Sequence, residues 1–202
     1  MAQAFAILRF QNALAGREGP HLEETYRRVI DVFTRVGARW SMVGAHAVNF
    51  FVEPRATVDI DFVVEAREMK PLLRALEEEF GALETTELGA ALRVTNLSID
   101  LIRGDNHPLF HAALDEAEEH EGVRVPPVEL LLVLKFLAAT SPWRDVADRK
   151  QDVADLIRLY RAAGADFDRK VAMRHASRVY PRAEEELAAI LDRIDRGEDV
   201  SV

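Results

Sequence analysis

Asp59 and Asp61 stand one residue apart near the end of the stretch VGAHAVNFFVEPRATVDIDFVV. In a strand alternate side chains share a face, so both carboxylates point one way while Ile60 and Phe62 point the other. Two like charges held side by side repel, and folding gains nothing from them. A hard divalent cation does gain, because Mg²⁺ takes one or two carboxylates and leaves its other positions to water and substrate phosphates. The pair reads as a site for Mg²⁺ (or Mn²⁺). Upstream, Gly44-Ala45 falls where a short strand turns into a helix, and a glycine there lets backbone N–H groups approach phosphate. Downstream, Asp100 lies in NLSIDLIRG with Ser98 on its face and Ile99 and Leu101 on the other. A third carboxylate on a neighbouring strand could hold a second metal and accept the proton of an incoming hydroxyl. These parts together suit in-line attack on the α-phosphate of a nucleoside triphosphate.

The elements that must position them follow from periodicity. HLEETYRRVIDVFTRVG has apolar residues at helical spacing and stops at Gly37. ARWSMVG is a short strand, AHAVNFFV a short helix broken at Glu53-Pro54, and TVDIDFVVE a strand. REMKPLLRALEEEF is an amphipathic helix ended by Gly81, and ALRVTNLSIDLIRG is one long strand or a tight hairpin turning near Asn96. Beyond residue 112 the pattern becomes helical: PPVELLLVLKFLAATS, RDVADRKQDVADLIRLYRAAG and residues 183–196. The expected fold is α/β (α+β): a small mixed sheet with flanking helices over 1–112, followed by a helical bundle over 113–202.

Composition narrows the class. A chain of 202 residues with 49% apolar and 30% charged residues supports one good core and a helical appendage. No apolar run is long enough to span a membrane, and MAQAFAILRFQNALAG lacks the pattern of a secretory signal. The absence of cysteine excludes disulfides and thiolate zinc sites and fits the cytoplasm. Ala- and Arg-rich, Lys-poor usage fits a GC-rich bacterial genome. A net charge of -9 argues against a surface that binds nucleic acid as a whole. The acidic run Asp115–Glu121 and the basic run Arg169–Arg182 read as solvated helix faces, the second with a substrate-facing patch as the rival reading. Lys135, inside LLLVLKFLA, either snorkels to water or faces a cleft and meets phosphate or carboxylate; the cleft is preferred. His46 reads as structural, and Arg144, Asp145, Asp148 and Arg149 as solvated, mutually paired charges.

The glycine turn followed by Arg55-x-Thr57-x-Asp59-Ile60-Asp61 resembles the signature of the nucleotidyltransferase superfamily, of polymerase-β-like fold. With ELLLVLKFLA and RKQDVADLIRL in the helical tail, the chain is similar to the AbiEii-type group of abortive-infection toxins over residues 25–160. The resemblance implies that Asp59, Asp61 and Asp100 are catalytic and hold metal, and that Gly44 and Ala45 form the phosphate turn. It implies nucleotide-binding roles for Arg55, Thr57, Lys135, Lys150 and Asp152. Ala45 departs from the pattern, since many active members carry Ser there, and a hydroxyl contact to phosphate is lost. The expected activity is Mg²⁺-dependent transfer of a nucleoside monophosphate to a hydroxyl of RNA (tRNA), protein or a small molecule, with a cognate antitoxin as partner. The rivals are a catalytically weak or inactive nucleotide-binding protein of this fold and a partner-binding toxin–antitoxin component.

Overall fold

The computed structural model of the chain describes residues 21–55, 57, 59–120 and 122–200. The segment read for a signal, at the start of the chain, lies outside them. The described residues divide into two compact units at Pro126–Pro127, and each is taken by itself.

The N-terminal unit is built on a five-stranded mixed sheet. Its elements are α1 (His21–Arg35), β1 (Trp40–Val43), α2 (Gly44–Val48), β2 (Ile60–Val64), α3 (Met69–Phe80), β3 (Thr85–Leu88), β4 (Ala91–Val94), β5 (Ile99–Arg103) and α4 (Pro108–Asp115). The hairpin β6 (Glu118–His120) and β7 (Val123–Val125) follows and packs beside β1. Strand order is β1-β2-β5-β4-β3, with β2 and β5 parallel and the other neighbours antiparallel. One sheet face is apolar: Met42 pairs with Phe62, which pairs with Leu101. Phe33 of α1 meets Trp40 and Phe62 edge to face, with centroids 5.7 and 5.0 Å away, so α1 seals this face with aromatic area. Arg28 and Arg35 on α1 both hold Glu79 at the end of α3.

The hairpin alternative for 91–103 is the one adopted. Thr95–Leu97 form a 3-10 turn and Ser98 takes a left-handed conformation at φ 52 before β5 begins. Asn96 ties this turn to the preceding loop, accepting from the Glu84 amide and donating to the Ala82 carbonyl, each at 3.1 Å.

Two expectations change here. The compact unit runs to Pro126, past residue 112, because α4 packs on β1 and β2 and β7 packs on β1. The acidic run is not a helix face: Asp115 ends α4, bonded to Arg39 and His111, and Glu118–His120 form a strand. Buried Val123 and Val125, with Gly122 at φ +85 in the turn, favour the hairpin.

The C-terminal unit holds four α-helices among the described residues: α5 (Val128–Ala139), α6 (Val146–Ala163), α7 (Arg169–Ala176) and α8 (Ala183–Asp195). Leu130 to Leu134, Phe136 and Ala139 of α5 are all buried, as expected of a helix apolar on every side. It packs on α6 and α7, and α7 on α8. The first part of the basic run, Arg169–Ala176, forms α7, capped by Asp168, whose carboxylate accepts from the amides of Lys170 and Val171; the remainder is turn. Arg169 is paired with Asp192 at 2.8 Å. No helix among the described residues is long and apolar enough to cross a membrane.

Candidate active site

The sheet register assembles the carboxylates. Asp61 on β2 lies opposite Asp100 on the parallel strand β5, and Asp100 lies opposite Arg93 on β4. Directly opposed residues share a face, so Asp61, Asp100 and Arg93 form one row across three strands, away from Phe62 and Leu101. Asp59 precedes β2 by one residue.

Arg93 ties the group together. Its Nε donates to Asp100 Oδ1 at 2.8 Å and its Nη2 to Asp100 Oδ2 at 2.7 Å. The same Nη2 lies 2.9 Å from Asp59 Oδ2. Asp100 is 8% exposed, so its charge is accepted in a largely dry place because a planar guanidinium matches both its oxygens. Partial burial pushes the Asp59 carboxyl above its ordinary value; Arg93 opposes that rise and the Asp100 charge adds to it. Hydrogen bonding to Asp100, with the charges of Asp100, Asp59 and Asp61, holds the Arg93 proton more firmly than in a free arginine.

Gly44 is fixed by two demands. Its φ is +68, which side chains rarely adopt, and a Cβ placed there would lie 1.9 Å from Asp61 Oδ2 and 2.7 Å from its Cγ. The backbone of the strand-to-helix turn is thus pressed against the Asp61 carboxylate, and only glycine leaves room for both. Ala45 and His46 follow, both buried. Burial first, and then the Arg55 charge, push the His46 imidazole down to about 4. Its ring meets Tyr26 of α1 edge on at 6.3 Å, the structural role expected of it. Burial raises the Tyr26 phenol well above its usual value, and the Asp59 charge adds to this.

The loop entering β2 is held by Asn49, buried at the end of α2. Its amide donates to the Arg55 carbonyl and its carbonyl accepts from the Arg55 amide, both at 3.1 Å. This clamp sets the path of the chain four residues before Asp59. Arg55 and Thr57 are both half-buried on that path.

The residues expected from the second unit form a network of their own. Lys135 on α5 is 5% exposed; its Nζ lies 3.0 Å from Asp152 Oδ1 and 2.8 Å from Asp155 Oδ2 on α6. Arg144 Nε takes the other Asp152 oxygen at 2.7 Å. Of the two partners open to Lys135, carboxylate is the one it meets. The charges at the start of α6 are not simply mutually paired: Asp145 caps the helix by accepting from the Ala147 amide, and Arg144 serves Asp152. Lys150 is exposed on α6.

Arg93, Asn49 and Asp155 escaped the sequence reading, in which Arg144 is only a solvated charge. Arg93 carried one signal: a hairpin turning over residues 95–98 places it directly opposite Asp100.

Asp59, Asp61 and Asp100 offer hard oxygens, the donors that Mg²⁺ and Mn²⁺ take. The burial that raises the Asp59 carboxyl is also a cost that a nearby cation relieves. Among the described residues no set of three or more His, Cys, Asp or Glu side chains converges into a metal cage. The donors fit an open site of one or two carboxylates completed by phosphate and water.

Comparison with known proteins gives the same frame. The solution structure of the antibiotic-resistance factor ANT(2'')-Ia is similar to this chain with a TM-score of 0.53 and 15% identity, covering 87% of this chain and 97% of its own. The crystal structure of ANT(2'')-Ia in complex with adenylyl-2''-tobramycin is similar at a TM-score of 0.51 and 15% identity, covering 75% and 93%. Such likeness speaks for the fold. No curated protein matches the chain. The family model described as nucleotidyl transferase AbiEii toxin, type IV TA system, matches residues 32–199. With most of its length matched and its sheet carrying the Asp61–Asp100–Arg93 row, the chain belongs to the AbiEii family of nucleotidyl transferase toxins and is a nucleotidyltransferase.

Proposed function

We propose that the chain transfers a nucleoside monophosphate from a nucleoside triphosphate to a hydroxyl, with Mg²⁺ (or Mn²⁺) held by Asp59 and Asp61 and with Asp100 on the acceptor side. The observation that carries this reading is the approach of Gly44 to the Asp61 carboxylate in the row that contains Asp100. The close approach of the turn backbone to a carboxylate supports a site in which a triphosphate would meet both. The cation, when bound, supplies the charge that neutralises the phosphates. The other tasks fall to the chain: Gly44 and Ala45 cradle phosphate by their backbone, Asn49 fixes the loop carrying Arg55 and Thr57, and Asp100 takes the proton of the attacking hydroxyl.

The acceptor is RNA (tRNA), a protein or a small molecule, and family membership favours a cognate antitoxin as partner and the bacterial cytoplasm as compartment. Within the C-terminal unit we assign Lys135 and Asp152 to joining α5 to α6, since each is consumed by the other and by Asp155 and Arg144. Exposed Lys150 retains the expected nucleotide role. A second reading, a protein that binds nucleotide with little turnover, is favoured by buried Ala45, which offers phosphate no hydroxyl. A thermal-shift panel of the four nucleoside triphosphates with and without Mg²⁺ tests binding: the parent is stabilised only with both present, and Asp59→Asn is not. Stabilisation of Asp59→Asn equal to the parent's would overturn the metal assignment.

A further inference from the structure

Three carboxylates and one guanidinium share the site face in the folded chain. Arg93 is placed to offset the carboxylates' charge. It reaches Asp100 with two N–H groups and Asp59 with a third contact from the nitrogen already engaged, so one planar group spans carboxylates from two different segments. Its side chain is 36% exposed and Asp59's is 29%, whereas Asp100's is 11%. The Asp100 contact is therefore bidentate and sheltered, while the Asp59 contact is single, shared and open to solvent.

We propose that Arg93 is a resident counter-ion of the carboxylate site: it keeps Asp59 and Asp100 together while no divalent cation is bound, and it competes with that cation for Asp59. The two contacts differ in what they resist. The weaker one gives way when a dication with its own hydration competes for the Asp59 oxygens, since a single contact near water gains little free energy. The forked pair with Asp100 persists and keeps that carboxylate oriented beside Asp61. Arg93 is a positioning residue, and its cost to the protein is a weakened affinity for metal. Lysine could not do the same, because a point charge has no fork to span both groups.

The inference rests on Asp59 and Asp61 being the metal site, so the test carries an arm for each. Mn²⁺ binding to the full chain, without nucleotide, is followed by loss of the free-ion electron paramagnetic resonance signal, and melting of the metal-free protein is recorded alongside. Arg93→Met should bind Mn²⁺ about fivefold more tightly than the parent, the order expected for losing one partly exposed ion pair, and its metal-free form should melt lower. Mn²⁺ should raise its melting temperature by more than the parent's. Arg93→Lys keeps the charge and guards against failure to fold; it should bind Mn²⁺ with intermediate affinity. Folded Arg93 variants whose Mn²⁺ affinity equals or falls below the parent's overturn the counter-ion role. Asp61→Asn tests the underlying site: if it loses Mn²⁺ while the Arg93 variants match the parent, only the counter-ion inference fails. If Asp61→Asn binds Mn²⁺ as tightly as the parent, or the parent itself binds none, the metal reading falls and takes this inference with it.

Discussion

Gly44→Ala separates strain from function in a way the geometry makes quantitative. A left-handed backbone costs a non-glycine residue roughly 1–2 kcal/mol, and Gly44 sits at φ +68. The added methyl would also stand 1.9 Å from Asp61 Oδ2 and 2.7 Å from its Cγ. A carboxylate is the mobile end of its side chain, so Asp61 turns away rather than the sheet breaking. Stability should fall by a small amount, a few degrees of melting temperature. Metal-dependent nucleotide binding should fall much further, by about ten- to a hundredfold, the worth of one charge-assisted contact. Gly37 supplies the control: its φ is +65, but a Cβ there meets nothing within 4 Å. Gly37→Ala should show a similar loss of stability and no loss of binding. In an Asp61→Ala background Gly44→Ala should have no further effect on binding, a coupling that double-mutant analysis detects. Calorimetric titration of Mg²⁺-nucleotide into the four variants, with denaturant unfolding, makes the comparison. Parent-like binding by Gly44→Ala would refute the claim that Asp61 must lie where glycine leaves room.

Two further outcomes follow from buried charge. Lys135→Met takes the Lys135 ammonium away from Asp152 and Asp155 inside α5–α6, and removing one partner of a buried ion network costs about 3–5 kcal/mol; the partners that remain, Arg144 on Asp152 and Gln151 on Asp155, keep the loss toward the lower end. Denaturant unfolding checks it, and a stable variant that has lost only triphosphate binding would restore the phosphate role to Lys135. The His46 imidazole, pushed down to about 4, takes up a proton in the unfolded chain at about 6.5 but not in the folded one. The unfolded state then binds more protons, so stability falls as pH drops from about 6.5 to 4, by about 3 kcal/mol from this residue; His46→Gln should flatten that part of the pH–stability curve, and an unchanged slope would contradict the buried, neutral assignment.

Much of the site could be read from sequence because its parts lie in short segments with strong local signals. Alternation about Ile60 and Phe62 put Asp59 and Asp61 on one face without any tertiary information, and Gly37, Gly44 and Gly81 marked the ends of elements where positive φ is needed. What stayed hidden depends on pairing between segments. Arg93 becomes a partner of Asp100 only once residues 91–103 fold as a hairpin, and the alternative of one long strand points it nowhere in particular. Asn49 acts through backbone hydrogen bonds that periodicity does not encode. Lys135 is instructive in another way. Its position among leucines left water, phosphate or carboxylate open, and which of them it meets depended on the helix seventeen residues away that carries Asp152. The hairpin at 118–125 was masked by its charge, since three exposed or half-buried acidic and histidine residues on β6 hide the buried valines of β7.

The central claim, metal-dependent nucleotidyl transfer at the Asp59–Asp61 pair, is tested most directly by following the phosphate. The parent and Asp61→Asn are incubated with Mg²⁺, total RNA or cell protein, and each nucleoside triphosphate labelled at either the α- or the γ-phosphate. The account predicts that the parent moves α-label onto an acceptor, releases γ-label as pyrophosphate, and loses both on chelation, while Asp61→Asn does neither. Transfer of γ-label to the acceptor, or α-transfer by Asp61→Asn at the parent's rate, would contradict it.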